Sequence, residues 1–302
     1  MLISVIIPTA NRPRLLAQLL DALRPQLPDR SFEIIIVDDC LTTNLNHLSF
    51  QTSHCNCTVV RGEGNGPARA RNLGASHSTG TYLVFLDDDS VVYPSYLARI
   101  VEQMERRPDY ALGGPQRSID RRNSFALASE WLAHRFLDAE RLDSDRFGFT
   151  ASNGFAMRRA AFQRLGGFSP NFPLAASEDR EFCVRWIAAG FHIDVLQELA
   201  IQHHFPATLA TFVKQQWRYG RGAFHFQLCV AADQGPRVRN IRFYLGVVFG
   251  PIRSYGLLRG VRVRMLAALS QLIVWAGYMR ERASSTPRNV EALARAARGP
   301  AE

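Results

Sequence analysis

From the N-terminus to Asp89, short apolar runs alternate with segments of helix-spaced leucines, and the runs stop at polar clusters. Ile3 to Ile7 is nearly all apolar and ends in Pro8 and Thr9, the pattern of a strand covered on both faces. Leu15, Leu16, Leu19, Leu20 and Leu23 then predict a helix over 14–23. A second apolar run, Phe32 to Val37, ends in Asp38 and Asp39. Thr58 to Val60 predicts a short third strand, Gly62 to Gly66 a loop and Pro67 to Ser76 a helix. Tyr82 to Leu86 then runs into Asp87, Asp88 and Asp89. Repeated βα units imply an α/β fold with a mostly parallel central sheet flanked by helices. Ligands of such sheets bind outside the carboxyl ends of the strands, so Thr9, Asp38, Asp39 and the three aspartates are expected to share one crevice.

Further along, a helix is expected over 94–105, then Gly113 and Gly114, and a charged segment from Arg117 to Arg146 whose pattern assigns no element. The turn-like Gly166-Gly167-Phe168 precedes a helix from Glu178 to Ala189 that Gly190 stops. Ile193 to Ile201 reads as one more strand, leading to His203 and His204, and the chain from Thr208 onward reads as helical and basic.

Charge sharpens the reading of that last third. The 302 residues carry a net charge of +9, and from Arg237 to Arg264 every charged residue is an arginine set among apolar neighbours, an arrangement drawn to anionic surfaces. Met265 to Met279 is a mostly apolar run shorter than the roughly twenty residues that span a bilayer. It fits either a core helix or an interfacial helix, and the end from Ala283 reads as frayed. Five cysteines without metal-site spacing read as reduced thiols, and the N-terminus leads straight into a strand with no export signal. The expected location is cytoplasmic, with peripheral contact at the inner membrane face as an extension of that reading.

Three adjacent carboxylates at a strand end repel one another unless a cation or a donor network compensates. They read as a site for Mg²⁺ or Mn²⁺, or as a solvated turn capping the next helix. Glu178 and Asp179 open a helix, where carboxylates serve either as a general base or as ordinary helix stabilisers. One of His203 and His204 could be a further metal ligand, or both could be structural. Gly62, Gly64 and Gly66 do not make a dinucleotide fingerprint, since Pro67 stands where its last glycine belongs. Arg69 and Arg71 in the helix that follows suit diphosphate recognition, or a solvated helix face.

Taken together, these segments resemble the family 2 glycosyltransferases, nucleotide-sugar-dependent enzymes of the GT-A fold. The resemblance rests on SVIIPTANR from Ser4, IIIVDDC from Ile34, GPARARNLGA from Gly66, TYLVFLDDD from Thr81, NGFAMRR from Asn153, GGF from Gly166, SEDREFCVRWIAAG from Ser177 and QHHFPATLATFVKQQWRYGRG from Gln202. It implies a GT-A domain over 1–222 and a basic, partly apolar helical region over 223–302. It places Thr9, Asn11 and Asp39 around the nucleotide base with Asp38 supporting that turn, Arg71 facing the donor, and Asp87 and Asp88 serving the ribose and the metal's outer contacts. Asp89 resembles the metal ligand of the DxD element, His203 the late metal-site histidine, and Asp179 the catalytic base with Glu178 beside it. Asn153, Gly154, Gln215 and Arg218 fall to the acceptor side or its surroundings.

Tyr219 stands where processive members carry a tryptophan, which argues against processivity. Cys40 and Leu41 replace a glycine and a serine after the paired aspartates, which bears on base preference. The implied reaction is metal-dependent, inverting transfer from a nucleotide sugar to a glycan or lipid-linked acceptor, with Mn²⁺ or Mg²⁺. A nucleotidyltransferase would need a basic glycine-rich phosphate loop, which Pro8 to Pro13 is not. A nucleic-acid-binding protein would explain the charge but lacks interleaved stacking aromatics, so no nucleic-acid partner is expected.

Overall fold

The computed structural model describes residues 3–26, 32–40, 42, 45, 48, 50–51, 55–142, 146–170, 172, 176–234 and 241–285. Leu41, Arg237, Arg239 and the end from 286 lie outside them. In chain order the elements are β1 (Ile3–Thr9), α1 (Pro13–Leu23), β2 (Phe32–Asp38), β3 (Phe50–Gln51), β4 (Cys55–Arg61), α2 (Pro67–Ser76), β5 (Tyr82–Phe85), β6 (Ser90–Val92), α3 (Tyr96–Arg106), β7 (Tyr110–Gly113) and β8 (Gln116–Ser118). They continue with α4 (Ser124–Ala139), β9 (Phe155–Arg158), α5 (Arg159–Arg164), α6 (Glu178–Ala188), β10 (His192–Val195), β11 (Ile201–His203), α7 (Leu209–Gln234), α8 (Ile241–Tyr255) and α9 (Leu257–Ser284). They fall into two compact units, one drawn from Met1–Arg117, Arg141–Phe168 and Phe182–His203, the other from Ser118–Glu140, Ser169–Glu181 and His204–Glu302.

The first unit is the α/β arrangement the alternation predicts. Its main sheet runs in the order β10-β7-β9-β5-β1-β2-β4-β3. β1 pairs in parallel with β2 and β5, β2 with β4, and β7 with β10, whereas β9 is antiparallel to β5 and β7. Alternate side chains of each central strand go to opposite cores. Ile3, Val5 and Ile7 join Leu16, Leu19 and Leu23 of α1 and Ile100 of α3 on one face. Ile6, Leu83 and Phe85 meet Phe162, Phe168, Phe182 and Trp186 on the other. Coverage on both faces is why these strands are written as unbroken apolar runs.

One expectation needs correction, and one segment left without an element gains one. Ile193 to Ile201 is not one strand: β10 closes the main sheet, a 3₁₀ turn over Gln197–Leu199 intervenes, and β11 joins the small sheet β6-β11-β8. The Ile201 amide donates to the Pro115 carbonyl at 3.1 Å, a long-range bond that an apolar run does not signal. The charged segment from Arg117 to Arg146 contains α4, whose cap Asn123 accepts from the amides of Phe125 and Ala126.

The second unit is helical. Leu127 and Leu132 of α4, Phe212 of α7, Phe243 and Val247 of α8, and Val263 and Ala267 of α9 form its core. α7 and α9 meet backbone to backbone: a Cβ on Gly220 would run into the Val274 carbonyl oxygen, and one on Gly277 would lie 2.5 Å from the Trp217 oxygen. Along the same seam Arg221 Nε and His225 Nε2 lie 2.5 and 2.9 Å from the carboxylate of buried Glu281. Helix propensity alone would make Gly220→Ala stabilising by about 1 kcal/mol. A backbone carbonyl cannot swing aside, so overpacking of about 1–3 kcal/mol should win. Urea unfolding followed by far-UV circular dichroism is expected to show net destabilisation.

Candidate active site

The sheet register lines up the strand ends on which the first unit's polar residues sit. Thr9 stands opposite Asp38 across β1 and β2, and Asp38 opposite Arg61 across β2 and β4. The buried Asp38 accepts from Arg61 Nη1 at 2.8 Å. Asp39 donates its amide to the Thr9 carbonyl at 2.9 Å, and its two carboxylate oxygens accept the amides of Gly64 and Gly66, each at 2.8 Å. Those glycines have φ of 73° and 90°, in the left-handed region that excludes most side chains. The loop therefore belongs to Asp39, which it fastens beside β1.

Beyond Thr9 the chain turns through Asn11 at φ 57°, a conformation asparagine tolerates, and brings Arg12 back over the aspartates. Each aspartate there has its own compensation. Arg71 Nη2 lies 2.7 Å from Asp87 Oδ1, and the Arg71 guanidinium is almost wholly buried, 5.8 Å from the centre of the Phe168 ring. Asp88 is fully buried; it accepts the Thr9 hydroxyl at 2.6 Å and sits 3.1 Å from Arg12 Nη2. Asp89 lies 2.5 Å from Arg12 Nη1 through one oxygen and 3.0 Å from His203 Nε2 through the other.

Burial pushes the Asp88 carboxyl up to about 6, against the pull of Arg12 and the Thr9 hydroxyl. Burial works against ionised Asp89 as well, but His203 and Arg12 outweigh it and hold this carboxyl far below the usual range. In return, against the effect of burial, Asp89 raises both His203 and Arg12 above their ordinary values.

Asn153 fixes the turn that carries the aspartates. Its Oδ1 accepts the Asp87 amide at 3.1 Å and the Ser90 hydroxyl at 2.9 Å, and its own Nδ2 is buried without a hydrogen bond. Gly154, at φ 85°, donates its amide to the Phe85 carbonyl at 2.8 Å. Thr9, Asp38, Asp39, Arg71, the three aspartates, His203, Asn153 and Gly154 are thus gathered at one end of the sheet. Asp89 and His203 supply a carboxylate and an imidazole, donor types suited to a divalent ion. Among the described residues no set of three or more His, Cys, Asp and Glu side chains is arranged to hold a metal. Two protein ligands are what a site uses when substrate phosphates complete the shell.

The other sequence-predicted residues belong to the helical unit. Glu178 is buried and Asp179 half-buried in the first turn of α6, directly after Ser177 at φ 75°. Arg180 anchors that turn: its Nη2 lies 3.2 Å from Glu140 Oε1, and its guanidinium stacks 4.2 Å from the Phe226 ring centre and 5.3 Å from that of Phe136. Gln215 accepts from Ser129 Oγ and from Gln216 Nε2, both at 3.2 Å, and Arg218 is half-buried. Sequence reasoning assigned no role to Arg12 or Arg61. Arg12 had a signal, since it directly follows the strand-end Asn11, but an arginine opening a helix is usually a solvated residue.

The sequence and the fold have counterparts among known proteins. The model of Glycosyl transferase family 2 matches residues 4–166. The chain belongs to this family. Over 187 residues it is 29% identical to an uncharacterized glycosyltransferase of Haemophilus influenzae, covering 61% of each chain. It is 25% identical to the hyaluronan synthase of Pasteurella multocida over 68% of this chain, and spans only 24% of that protein. The fold is shared with the mannosyltransferase PcManGT from Pyrobaculum calidifontis, solved with GDP-Man and Mn²⁺: TM-score 0.60, 17% identity, 98% of this chain and 79% of that one. Staphylococcus aureus TarS 1-349 in complex with UDP-GlcNAc gives a TM-score of 0.55 at 17% identity, over 94% of this chain and 91% of that one.

Asn153→Ala deletes the acceptor for both Asp87 N and Ser90 Oγ and leaves one half-buried and one buried donor unsatisfied. The expected cost is about 1–3 kcal/mol in chemical unfolding; an unchanged midpoint would mean that the turn at Asp87 is held by other groups.

Proposed function

We propose that this chain transfers a sugar from a nucleoside-diphosphate sugar to an acceptor hydroxyl, with dependence on Mn²⁺ or Mg²⁺. The observation that carries the reading is the strand-end cluster in which Asp89 and His203 adjoin each other while Asp87 and Asp88 are held by Arg71, Thr9 and Arg12. The nucleotide sugars named for PcManGT and TarS point to the same donor class.

In this reading Thr9, Asn11 and Asp39, with Asp38 behind them, line the nucleotide end of the site. Arg71 and Arg12 offer guanidinium groups that match a diphosphate, and Asp87 and Asp88 serve the ribose and the outer contacts of the ion. Bound at Asp89 and His203, a divalent ion would neutralise charge on the departing nucleoside diphosphate. Asp179, with Glu178 beside it, takes the proton from the acceptor hydroxyl as that oxygen attacks the anomeric carbon. The bond to the diphosphate breaks in the same displacement, so the anomeric configuration inverts. Asn153, Gly154, Gln215 and Arg218 border the acceptor or its surroundings. Tyr219 in place of tryptophan favours a single transfer, to a glycan or lipid-linked acceptor.

Incubation with a panel of nucleotide sugars, with and without Mn²⁺ or Mg²⁺, tests this directly. Nucleoside diphosphate should be released from one donor class, and a chelator should abolish release. Pyrophosphate release from a nucleoside triphosphate and a sugar 1-phosphate in a parallel incubation would instead identify a nucleotidyltransferase, and no release from any donor would sink the reading. Loss of a general base costs on the order of 10²–10⁴ in rate. Asp179→Asn is therefore expected to lower turnover by that factor while calorimetry shows nucleotide binding intact; joint loss of both would count against Asp179 as the base.

A further inference from the structure

α9 is packed the opposite way round from an ordinary surface helix. Its buried positions carry mostly small residues, among them Gly260, Val263, Ala267, Ser270 and Gly277. Its larger apolar side chains face outward instead: Leu258 is 84% exposed, Met265 67%, Leu272 67% and Trp275 63%, and Leu269 and Met279 are exposed between and beyond them. With exposed Val261 between the first two, steps of three and four residues join these positions into a stripe along the length of the helix. α8 packs against α9 and adds exposed Tyr244, Leu245 and Phe249, with the Arg264 guanidinium 4.4 Å from the Phe249 ring centre. Contiguous apolar surface of this extent marks an interaction site.

Charge selects the occupant. Between Asp233 and Glu281 every charged residue is an arginine, and Arg259, Arg262, Arg280 and Arg282 are exposed near the two ends of the stripe. The acidic residue of α9, Glu281, is turned inward and held by Arg221 and His225. The outward face therefore combines apolar bulk with positive charge and no negative charge. A second copy of the same face would bring arginines near arginines, whereas an anionic headgroup layer satisfies both components. No described helix is long and apolar enough to cross a membrane, so α9 would lie in the plane of the interface.

We propose that α8 and α9 form a docking face for an anionic phospholipid surface. The apolar stripe enters the headgroup boundary and the flanking arginines meet lipid phosphates. Resting on the reading of the chain as a sugar transferase, this face selects a lipid-linked acceptor.

Flotation of the full chain with phosphatidylcholine vesicles, alone or with phosphatidylglycerol, tests the face. Binding to the anionic vesicles should be at least about tenfold tighter and should weaken as salt rises. Leu272→Glu with Trp275→Glu should reduce that binding by about tenfold or more. Circular dichroism and Tm should be unchanged, because both side chains are already exposed. Arg259→Gln with Arg262→Gln should also weaken binding, by roughly fivefold per arginine. Equal affinity for neutral and anionic vesicles, no vesicle binding, or wild-type binding by the Glu variant would overturn the proposal. So would a solution dimer that the same two Glu substitutions dissociate, since the stripe would then serve self-association. Donor cleavage measured without vesicles reports on the transferase reading separately.

Discussion

Asp87, Asp88 and Asp89 stand in a row at the end of a strand buried on both faces, and the rest of the donor-side geometry follows from how their repulsion is relieved. Arg71 takes Asp87, the Thr9 hydroxyl and Arg12 take Asp88, and Arg12 and His203 share Asp89. Every one of these partners comes from a different element or loop end: β1, the approach to α1, α2 and β11. The aspartates therefore tie together four parts of the first unit. The same pairing divides their electrostatics, because Asp88, buried and only partly compensated, is pushed up to about 6, while Asp89, though buried, is driven the other way by His203 and Arg12. Neighbouring carboxyl groups that differ so far can take different roles.

That relief depends on backbone devices as much as on charge. Asn11 at positive φ turns Arg12 back toward the strand ends, the amides of Gly64 and Gly66 hold Asp39 beside Thr9, and Asn153 accepts from both ends of the aspartate turn. Arg71 reaches Asp87 because α2 packs closely on the sheet. Its Gly74 lies so near Ile6 and Val37 that a methyl group would not fit. Helix packing and site geometry are one constraint here, since a larger residue at that crossing would lift the arginine off its aspartate.

The strand ends were legible in the sequence because apolar runs in a parallel sheet stop where the ligand crevice begins, and Thr9, Asp38, Asp39 and Asp87 to Asp89 each follow such a run. What stayed hidden depends on contacts distant in sequence. Arg12 could be a solvated helix-start residue until its 77-residue reach to Asp89 is seen. The break between β10 and β11 goes with a backbone bond from Ile201 to the distant Pro115, and α4 was obscured by the arginines and aspartates around it. The setting of Asp179 is likewise unreadable locally. Its turn is anchored by Arg180 between Phe136 and Phe226, residues from helices on either side of it in the chain.

α9 shows why periodicity alone left the last third undecided. The run from Met265 to Met279 is apolar on nearly every side, so no hydrophobic face can be picked out from sequence. The choice is made by the close crossing with α7, where Gly220 and Gly277 admit backbone contact only if small residues point inward. Once the small residues are committed to that seam, the larger apolar ones have nowhere to go but out. Their exposure is thus a consequence of the close contact between α7 and α9. A sequence shaped for a free-standing surface could relieve it by polar substitutions at Met265, Leu272 and Trp275 without touching that contact. Apolar residues stand at all three positions, beside arginines and with Glu281 turned inward, which is the composition of a face that meets something other than water.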